Sequence, residues 1–125
     1  MRALILATIA VAFPVAASGQ IMVGLEFQVN SYTTGGQSRP IVSHGSDGSF
    51  VVVWQSLGQD GSEFAVEGQR YDSTGAPSGT EFQVNSYTTS AQVRPSVSHG
   101  SDGSFVVVWD SYTQDGSGSA VEGQR

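Results

Sequence analysis

Two histidines occur in the chain, and each precedes an aspartate by three positions: His44 with Asp47, and His99 with Asp102. A histidine beside a carboxylate can act as a general base or bind a metal ion. With Ser43, the first pair also supplies the residue types of a hydrolase triad. Residues this close in one strand and turn cannot align nucleophile, base and acid, and no GxSxG motif is present. Because zinc would need three or four converging ligands, we expect hydrogen-bonded strand-end histidines and no enzyme activity.

A second set of acidic residues invites a calcium site. Asp60 and Glu67 occur around one QDGS motif, and Asp115 and Glu122 occur around its repeat. Carboxylate oxygens suit Ca²⁺, but the ion takes six or more oxygen ligands. Two carboxylates in each unit therefore predict at most a weak calcium site, and the alternative is a tight turn capped by its aspartate. No other cofactor is indicated.

Aromatic residues could bind a ligand by stacking. Trp54 and Trp109 each end a run of valines, and Tyr112 follows in a loop. Exposed aromatic rings can stack on sugars, which would suit a lectin, whereas buried tryptophans fill a core and hydrogen-bond through the indole N–H. The sequence favours the core for both tryptophans and keeps carbohydrate binding as the alternative.

These residues recur because the chain contains a duplication. Residues 26–70 and 81–125 are identical at 36 of 45 positions, with a constant offset of 55. The nine differences lie in 35–41 and 55–64, which are rich in Gly and Ser and are therefore expected in loops or at strand ends. A period of this length indicates an array of supersecondary units.

Each unit contains strand signals and no helical periodicity. Phe27 and Val29 alternate with polar residues, and the run from Phe50 to Trp54 is apolar throughout and β-branched at its centre. Asp and Gly between the runs favour tight turns. We predict four antiparallel strands for every 55 residues, with the first unit contributing Pro40–His44, Phe50–Trp54, Ala65–Tyr71 and Glu81–Asn85, and Glu26–Asn30 preceding them as a further outer strand.

The unbroken FVVVW run predicts a strand covered on both faces. A sheet with neighbours on both faces is typical of a β-propeller blade, so the predicted fold is all-β with two four-stranded antiparallel propeller-type blades. The alternative is a two-sheet β-sandwich, in which each sheet would have one wet face. The predicted organisation is a signal peptide at 1–19, the first repeat and linker at 20–80, and the second repeat, without its last strand, at 81–125.

Two blades do not close a ring, because propellers use ~4–8. The second unit stops after its third strand, whereas Glu26–Asn30 has no unit before it. One hypothesis is self-association of three or more copies head to tail, each N-terminal strand completing a neighbour's last sheet. The other is that the chain is a piece of a longer repeat array.

Composition and the N-terminus indicate where the protein works. Five arginines, no lysine and eleven acidic residues give a net charge of −6, which disfavours nucleic-acid binding. Residues 1–19 have the basic start, apolar run and small-residue end of a secretory signal. The run is shorter than the ~20 residues of a spanning helix, so we expect a secreted, surface-associated or periplasmic protein without membrane insertion after cleavage.

The combined motifs EFQVNSYTT, RPIVSHGSDGSFVVVWQS and QDGSEFAVEGQRYDSTG resemble the ~55-residue repeats of large secreted and cell-surface bacterial proteins. Those repeats are similar to integrin-α-type (FG-GAP) propeller blades, although this chain lacks a DxDxDG calcium loop. The resemblance implies a non-catalytic module for binding, adhesion or structural interaction. An oligomeric propeller lectin is the alternative.

The signal peptide gives a first testable prediction. Expression in a bacterium with a general secretory pathway should release a chain that begins at Ser18 or Gln20, because small residues precede both positions. N-terminal sequencing of the exported protein measures this. A product that stays inside the cell and keeps Met1 would contradict it.

Overall fold

The computed structural model describes residues 24–125, so the predicted signal peptide lies outside the described part. Seven strands form two antiparallel sheets, and residues 24–125 contain no helix. The all-β prediction is confirmed at this level. The strands are β1 Gln37–His44, β2 Phe50–Leu57, β3 Phe64–Tyr71, β4 Phe82–Gln83, β5 Gln92–His99, β6 Phe105–Tyr112 and β7 Ser119–Gln124.

The first sheet has the order β1-β2-β3-β4, and the second has the order β5-β6-β7. The first two strands of each sheet are joined by a tight hairpin, as the Asp-Gly motifs predict. In the β1–β2 turn, Asp47 Oδ1 accepts hydrogen bonds from Ser49 N at 2.9 Å and Ser49 Oγ at 2.6 Å. Gly48 has a φ of 84°, which a residue with a side chain rarely adopts. Asp102 and Ser104 repeat this turn in the second sheet.

A β-bulge lies in the first strand of each sheet. The register of β1 on β2 shifts between Ser38 and Ile41, and Arg39 in the bulge has a φ of 54°. The same shift occurs in β5, where Arg94 has a φ of 55°. The strand therefore begins at Gln37, three residues before the predicted start, because the bulge lets it pass Pro40, which cannot donate a ladder hydrogen bond.

The two sides of each sheet carry different side chains. We call the side with Val51, Val53 and Val66 the valine face of the first sheet, and the side with Phe50, Val52 and Trp54 its aromatic face. Residues 55 positions later form the corresponding faces of the second sheet. The main core forms where the valine face of the first sheet packs against the aromatic face of the second; its members are Val51, Val53, Val66, Val84, Val107 and Trp109.

This unlike-face packing leaves the valine face of the second sheet open. Val106, Val108 and Val121 are 43%, 40% and 77% exposed. Their counterparts Val51, Val53 and Val66 are 1%, 0% and 0% exposed. Identical residues in the two repeats therefore have different environments because only one of the two valine faces has a sheet packed on it.

The aromatic face of the first sheet is covered by the segment Glu26–Asn30. Phe27 packs on Tyr71 with ring centroids 5.3 Å apart, and Val29 packs against the cluster containing Val52 and Trp54. The prediction of a strand at 26–30 is wrong for the described chain, because the segment has no strand edge beside it. The identical segment Glu81–Asn85 supplies β4, which pairs with β3.

The unequal valine faces predict unequal effects of the same substitution. Val53→Ala should lower the free energy of unfolding by about 2 kcal/mol, because it opens a cavity between the sheets. Val108→Ala, the matched change in the second repeat, should cost less than about 1 kcal/mol, because the side chain is partly in water. Urea denaturation followed by tryptophan fluorescence measures both, and equal costs would contradict the packing described.

Candidate functional site

The predicted aromatic residues lie mainly in the interior. Trp54 and Trp109 are buried, whereas Tyr112 is exposed at the end of β6. The indole Nε1 of Trp109 donates to Gln92 Oε1 at 3.0 Å, but Trp54 Nε1 has no partner among the described residues. A groove of about 300 Å³ adjoins Trp54 beneath the Glu26–Asn30 segment. Of the three, Tyr112 is the one that is exposed, at 40%.

The aspartates predicted as calcium ligands stabilise turns. Asp60 Oδ1 accepts a hydrogen bond from Ser62 N at 3.1 Å, and Asp115 Oδ1 accepts one from Ser117 N at 3.0 Å. These are Asp-capped turns, which is the alternative stated in the sequence analysis. Asp60 Oδ2 also accepts from Asn85 Nδ2 at 3.3 Å, which ties the β2–β3 loop to the residues after β4.

Glu67 lies in an acidic cluster at the centre of β3. Its side chain is on the same side of the sheet as Trp54, is only 2% exposed, and its Oε1 has no hydrogen-bond partner in the described structure. Burial, together with the nearby carboxylates of Glu81 and Asp60, raises the pKa of Glu67 to about 7. The carboxyl group therefore stays protonated to a higher pH than that of an ordinary glutamate.

Glu81 is a member of the cluster that sequence reasoning missed. Its Oε1 accepts from Gln59 Nε2 at 2.6 Å, and its Oε2 accepts from Ser31 N at 2.7 Å and Ser31 Oγ at 2.8 Å. Glu81 thus fastens the N-terminal segment to the first sheet. No sequence signal could have shown this, because the contact joins residues 50 positions apart.

The second predicted pair of carboxylates has a different environment. Glu122 is half-buried on β7, and Asp115 is exposed in the β6–β7 loop. Across residues 24–125, no group of three His, Cys, Asp or Glu side chains is arranged to hold a metal ion. The structure brings Asp60 close to Glu67, and it adds Glu81 to them.

The histidines are separated into the two sheets. His44 is exposed at the end of β1, with its ring 5.5 Å from that of Phe50. His99 Nε2 lies 3.3 Å from Gly103 O, and its backbone N donates to Ser43 Oγ at 3.1 Å. The serine hydroxyl therefore contacts the backbone of a histidine from the other repeat and not its ring. This contact joins the sheets and aligns no nucleophile with a base.

A cation–π contact fills the gap between the sheets near their outer strands. The guanidinium carbon of Arg70 lies 4.7 Å from the ring centroid of Phe105 and 5.7 Å from that of Phe82. Phe82 also covers Gly68, where an added Cβ would come within 2.7 Å of the ring. One side of the sheet-to-sheet interface is thus occupied by Arg70 and Phe82, with Gly68 beneath the Phe82 ring.

The second sheet has an open edge in the described residues, at the position where the sequence analysis expects a fourth strand to be missing. In residues 24–125, no strand pairs with the side of β7 that faces away from β6. β3 has the same AVEGQR sequence and uses that side to bind β4. The open edge adjoins the exposed valine face, so unpaired backbone groups and uncovered apolar side chains form one surface.

No model of a protein family, no curated protein and no solved structure matches this sequence. Among residues 24–125, no helix could span a membrane. The resemblance to the bacterial surface repeats stays a prediction from the motifs.

Glu67 gives a pH-dependent prediction. Its pKa in the folded chain, about 7, lies above the ~4.3 of an unfolded glutamate, so its contribution favours folding below pH 4.3 and is lost as pH rises through 7. Glu67→Gln should remove this loss. The gain in free energy of unfolding over the unmodified chain should therefore be about 2 kcal/mol larger at pH 8 than at pH 4.

Thermal unfolding at pH 4, 6 and 8 measures the effect. Glu122→Gln is the matched control at the equivalent position and should leave the pH dependence close to that of the unmodified chain. An identical pH profile for Glu67→Gln and the unmodified chain would show that the buried carboxyl is ionised in the folded protein.

Proposed function

We propose that the chain is a secreted or surface-associated, non-catalytic repeat module that acts by stacking its sheets on further repeats of the same kind. The observation that carries this proposal is the packing of unlike faces. A valine face binds an aromatic face once within the chain, and one valine face is left uncovered. A surface formed by Val106, Val108 and Val121 is an apolar patch of the type that marks protein interaction sites.

The shape of the interface supports a propeller-type arrangement of the stacked sheets. On one side, hydrogen bonds from β5 join the sheets directly: His99 N donates to Ser43 Oγ, and Arg94 N donates to Gln55 Oε1 at 3.2 Å. On the other side, the larger Arg70–Phe105 contact fills the space. Face-to-face packing of successive sheets, held by these contacts, is the arrangement of blades in a propeller.

The polar chemistry supports a non-catalytic role. Asp47 and Asp102 accept hydrogen bonds within their turns, and these bonds lower the pKa of both carboxyls. The Ser43 hydroxyl is engaged with the backbone of His99. Asp47, Asp102 and Ser43 are therefore used to shape turns and to join the sheets.

Carbohydrate binding has less support than sheet stacking. Both tryptophan rings are buried in the single chain, and a sugar would need an open aromatic face. An extracellular location is proposed from the signal-like residues 1–19 and agrees with a surface free of lysine and rich in acidic groups, which favours solubility.

Adding a repeat tests the proposal. A chain extended after Arg125 by a second copy of residues 71–125 supplies a new β4 segment and a new aromatic face. It should cover Val106, Val108 and Val121 and raise the free energy of unfolding by about 3 kcal/mol, since burial of apolar surface stabilises by about 25 cal/mol per Å².

Urea denaturation measures the outcome for the extended chain, because the added repeat has an exposed valine face of its own and the total apolar exposure does not fall. The matched control carries Val121→Asp at the junction, which places a charge where the new repeat would pack. An extended chain that unfolds at the same urea concentration as the original and as the control would contradict sheet stacking.

A further inference from the structure

The hydrogen bonds at the edge of β3 indicate which kind of segment the open edge of β7 can bind. Val84 N donates to Val66 O at 2.8 Å, and Val66 N donates to Asn85 Oδ1 at 2.7 Å. The asparagine side chain thus takes the place of a strand carbonyl at the end of β4. β7 repeats the sequence of β3, and Val121, the counterpart of Val66, is 77% exposed.

The segment Glu26–Asn30 has the sequence of Glu81–Asn85 and already lies on its own sheet in the same way. Val29 packs against Val52 and Trp54, as Val84 packs in the cluster with Val107 and Trp109. Asn30 Nδ2 donates to Tyr32 O at 2.9 Å, and Asn85 Nδ2 donates to Tyr87 O at 3.0 Å.

The segment and Glu81–Asn85 differ in what lies beside them. Among residues 24–125, no backbone amide donates to Asn30 Oδ1, whereas Val66 N donates to Asn85 Oδ1. The segment therefore has the sequence and the packing of a fourth strand without a sheet edge, and within the described residues β7 is an edge without a fourth strand.

We propose that Glu26–Asn30 of a second copy of this chain adds to the open edge of β7 as its fourth strand. The register follows from β3 and β4: Gln28 opposite Glu122, Phe27 opposite Gly123, and Asn30 Oδ1 accepting from Val121 N. This is strand addition, in which main-chain hydrogen bonds and alternate side chains together bind the incoming segment.

The faces next to this strand pair are complementary as well. When the segment docks, the aromatic face beneath it meets the valine face of the second sheet, which repeats the packing seen within the chain. Val42 of that aromatic face is 55% exposed, whereas its counterpart Val97 is packed against the core. The inferred contact therefore covers apolar side chains on both copies.

Polar groups also correspond across the inferred contact. Within the chain, Gln55 Oε1 accepts from the backbone N of Arg94, and the counterparts of these residues in the copy-to-copy contact are Asp110 and Arg39. The carboxylate of Asp110, which pairs with the side chain of Arg94 in its own sheet, thus takes the place of an amide oxygen that accepts from a backbone N–H. Arg125 takes the position of Arg70 and would lie over Phe50, as Arg70 lies over Phe105.

This inference rests on the proposed sheet stacking but adds a specific occupant. The contact is heterologous, because one copy contributes β7 and the other contributes Glu26–Asn30. Such contacts repeat from copy to copy and produce either a closed ring or an open fibre. Strand addition between copies is common to the ring and the fibre.

Cysteine cross-linking tests the register. The chain has no native cysteine, and the Gln28/Glu122 pair corresponds to Gln83/Glu67, which lies next to a hydrogen-bonded pair and therefore has a short Cα separation of ~4.5 Å. The double variant Gln28→Cys, Glu122→Cys should form disulfide-linked oligomers under mild oxidation, seen on non-reducing gels.

Two control pairs of cysteines test whether the cross-link depends on the register. The pair Glu67→Cys, Gln83→Cys should form a disulfide within one chain, which shows that the position permits the bond. The pair Gln28→Cys, Ser117→Cys places one cysteine in the β6–β7 loop and should give at least about fivefold less cross-linked product. Equal cross-linking in both Gln28 pairs, or none in the Gln28/Glu122 pair, would overturn the proposed register.

Sedimentation of the unmodified chain measures the association itself. Oligomers at micromolar concentration are expected, and Val121→Asp should convert them to folded monomers, whereas Ser117→Asp, with the same added charge, should not. An unmodified chain that stays monomeric overturns the inference. If the extended chain with an added repeat is nevertheless stabilised, sheet stacking stands and only strand addition between copies fails; if neither occurs, both fail.

Discussion

The burial of β2 on both faces is the interaction on which the rest of the structure depends. Val51 and Val53 point to one side and Val52 and Trp54 to the other, and all four are buried. A single sheet cannot cover its own central strand twice. One face is therefore closed by the second sheet and the other by the Glu26–Asn30 segment. Both covers of the first sheet therefore come from chain that lies outside that sheet.

The same constraint explains why duplicated residues differ in environment. The second sheet gives its aromatic face to the first and has nothing on its valine face in the described structure, so Val121 is exposed where Val66 is sealed. A symmetric pairing of like faces would have made the repeats equivalent. Pairing unlike faces makes the interface extendable.

Much of the fold could be predicted from local pattern. The apolar run at Phe50–Trp54, the Asp-Gly turns and the return of Glu81–Asn85 to the third strand are all present. The bulge at Arg39 was missed because a positive φ at arginine leaves no signature in the sequence. The failure at 26–30 is informative, since strand propensity without a neighbouring edge forms no strand.

The candidate site was less predictable than the fold. Pairing Asp60 with Glu67 followed from their closeness in the repeat, but Glu81 enters through a contact made only after folding. The choice of which faces meet was also hidden, because three consecutive valines give both sides of the strand the same hydrophobicity. The strand register and the choice of packing face are set by tertiary contacts, and the sequence pattern alone does not predict them.

Unlike-face packing is tested most directly by nuclear Overhauser contacts from the two indole rings. We expect contacts from the Trp109 indole to the methyl groups of Val53, and contacts from the Trp54 indole to those of Val29. Contacts between the Trp54 and Trp109 rings themselves would mean that like faces meet, and would contradict unlike-face packing.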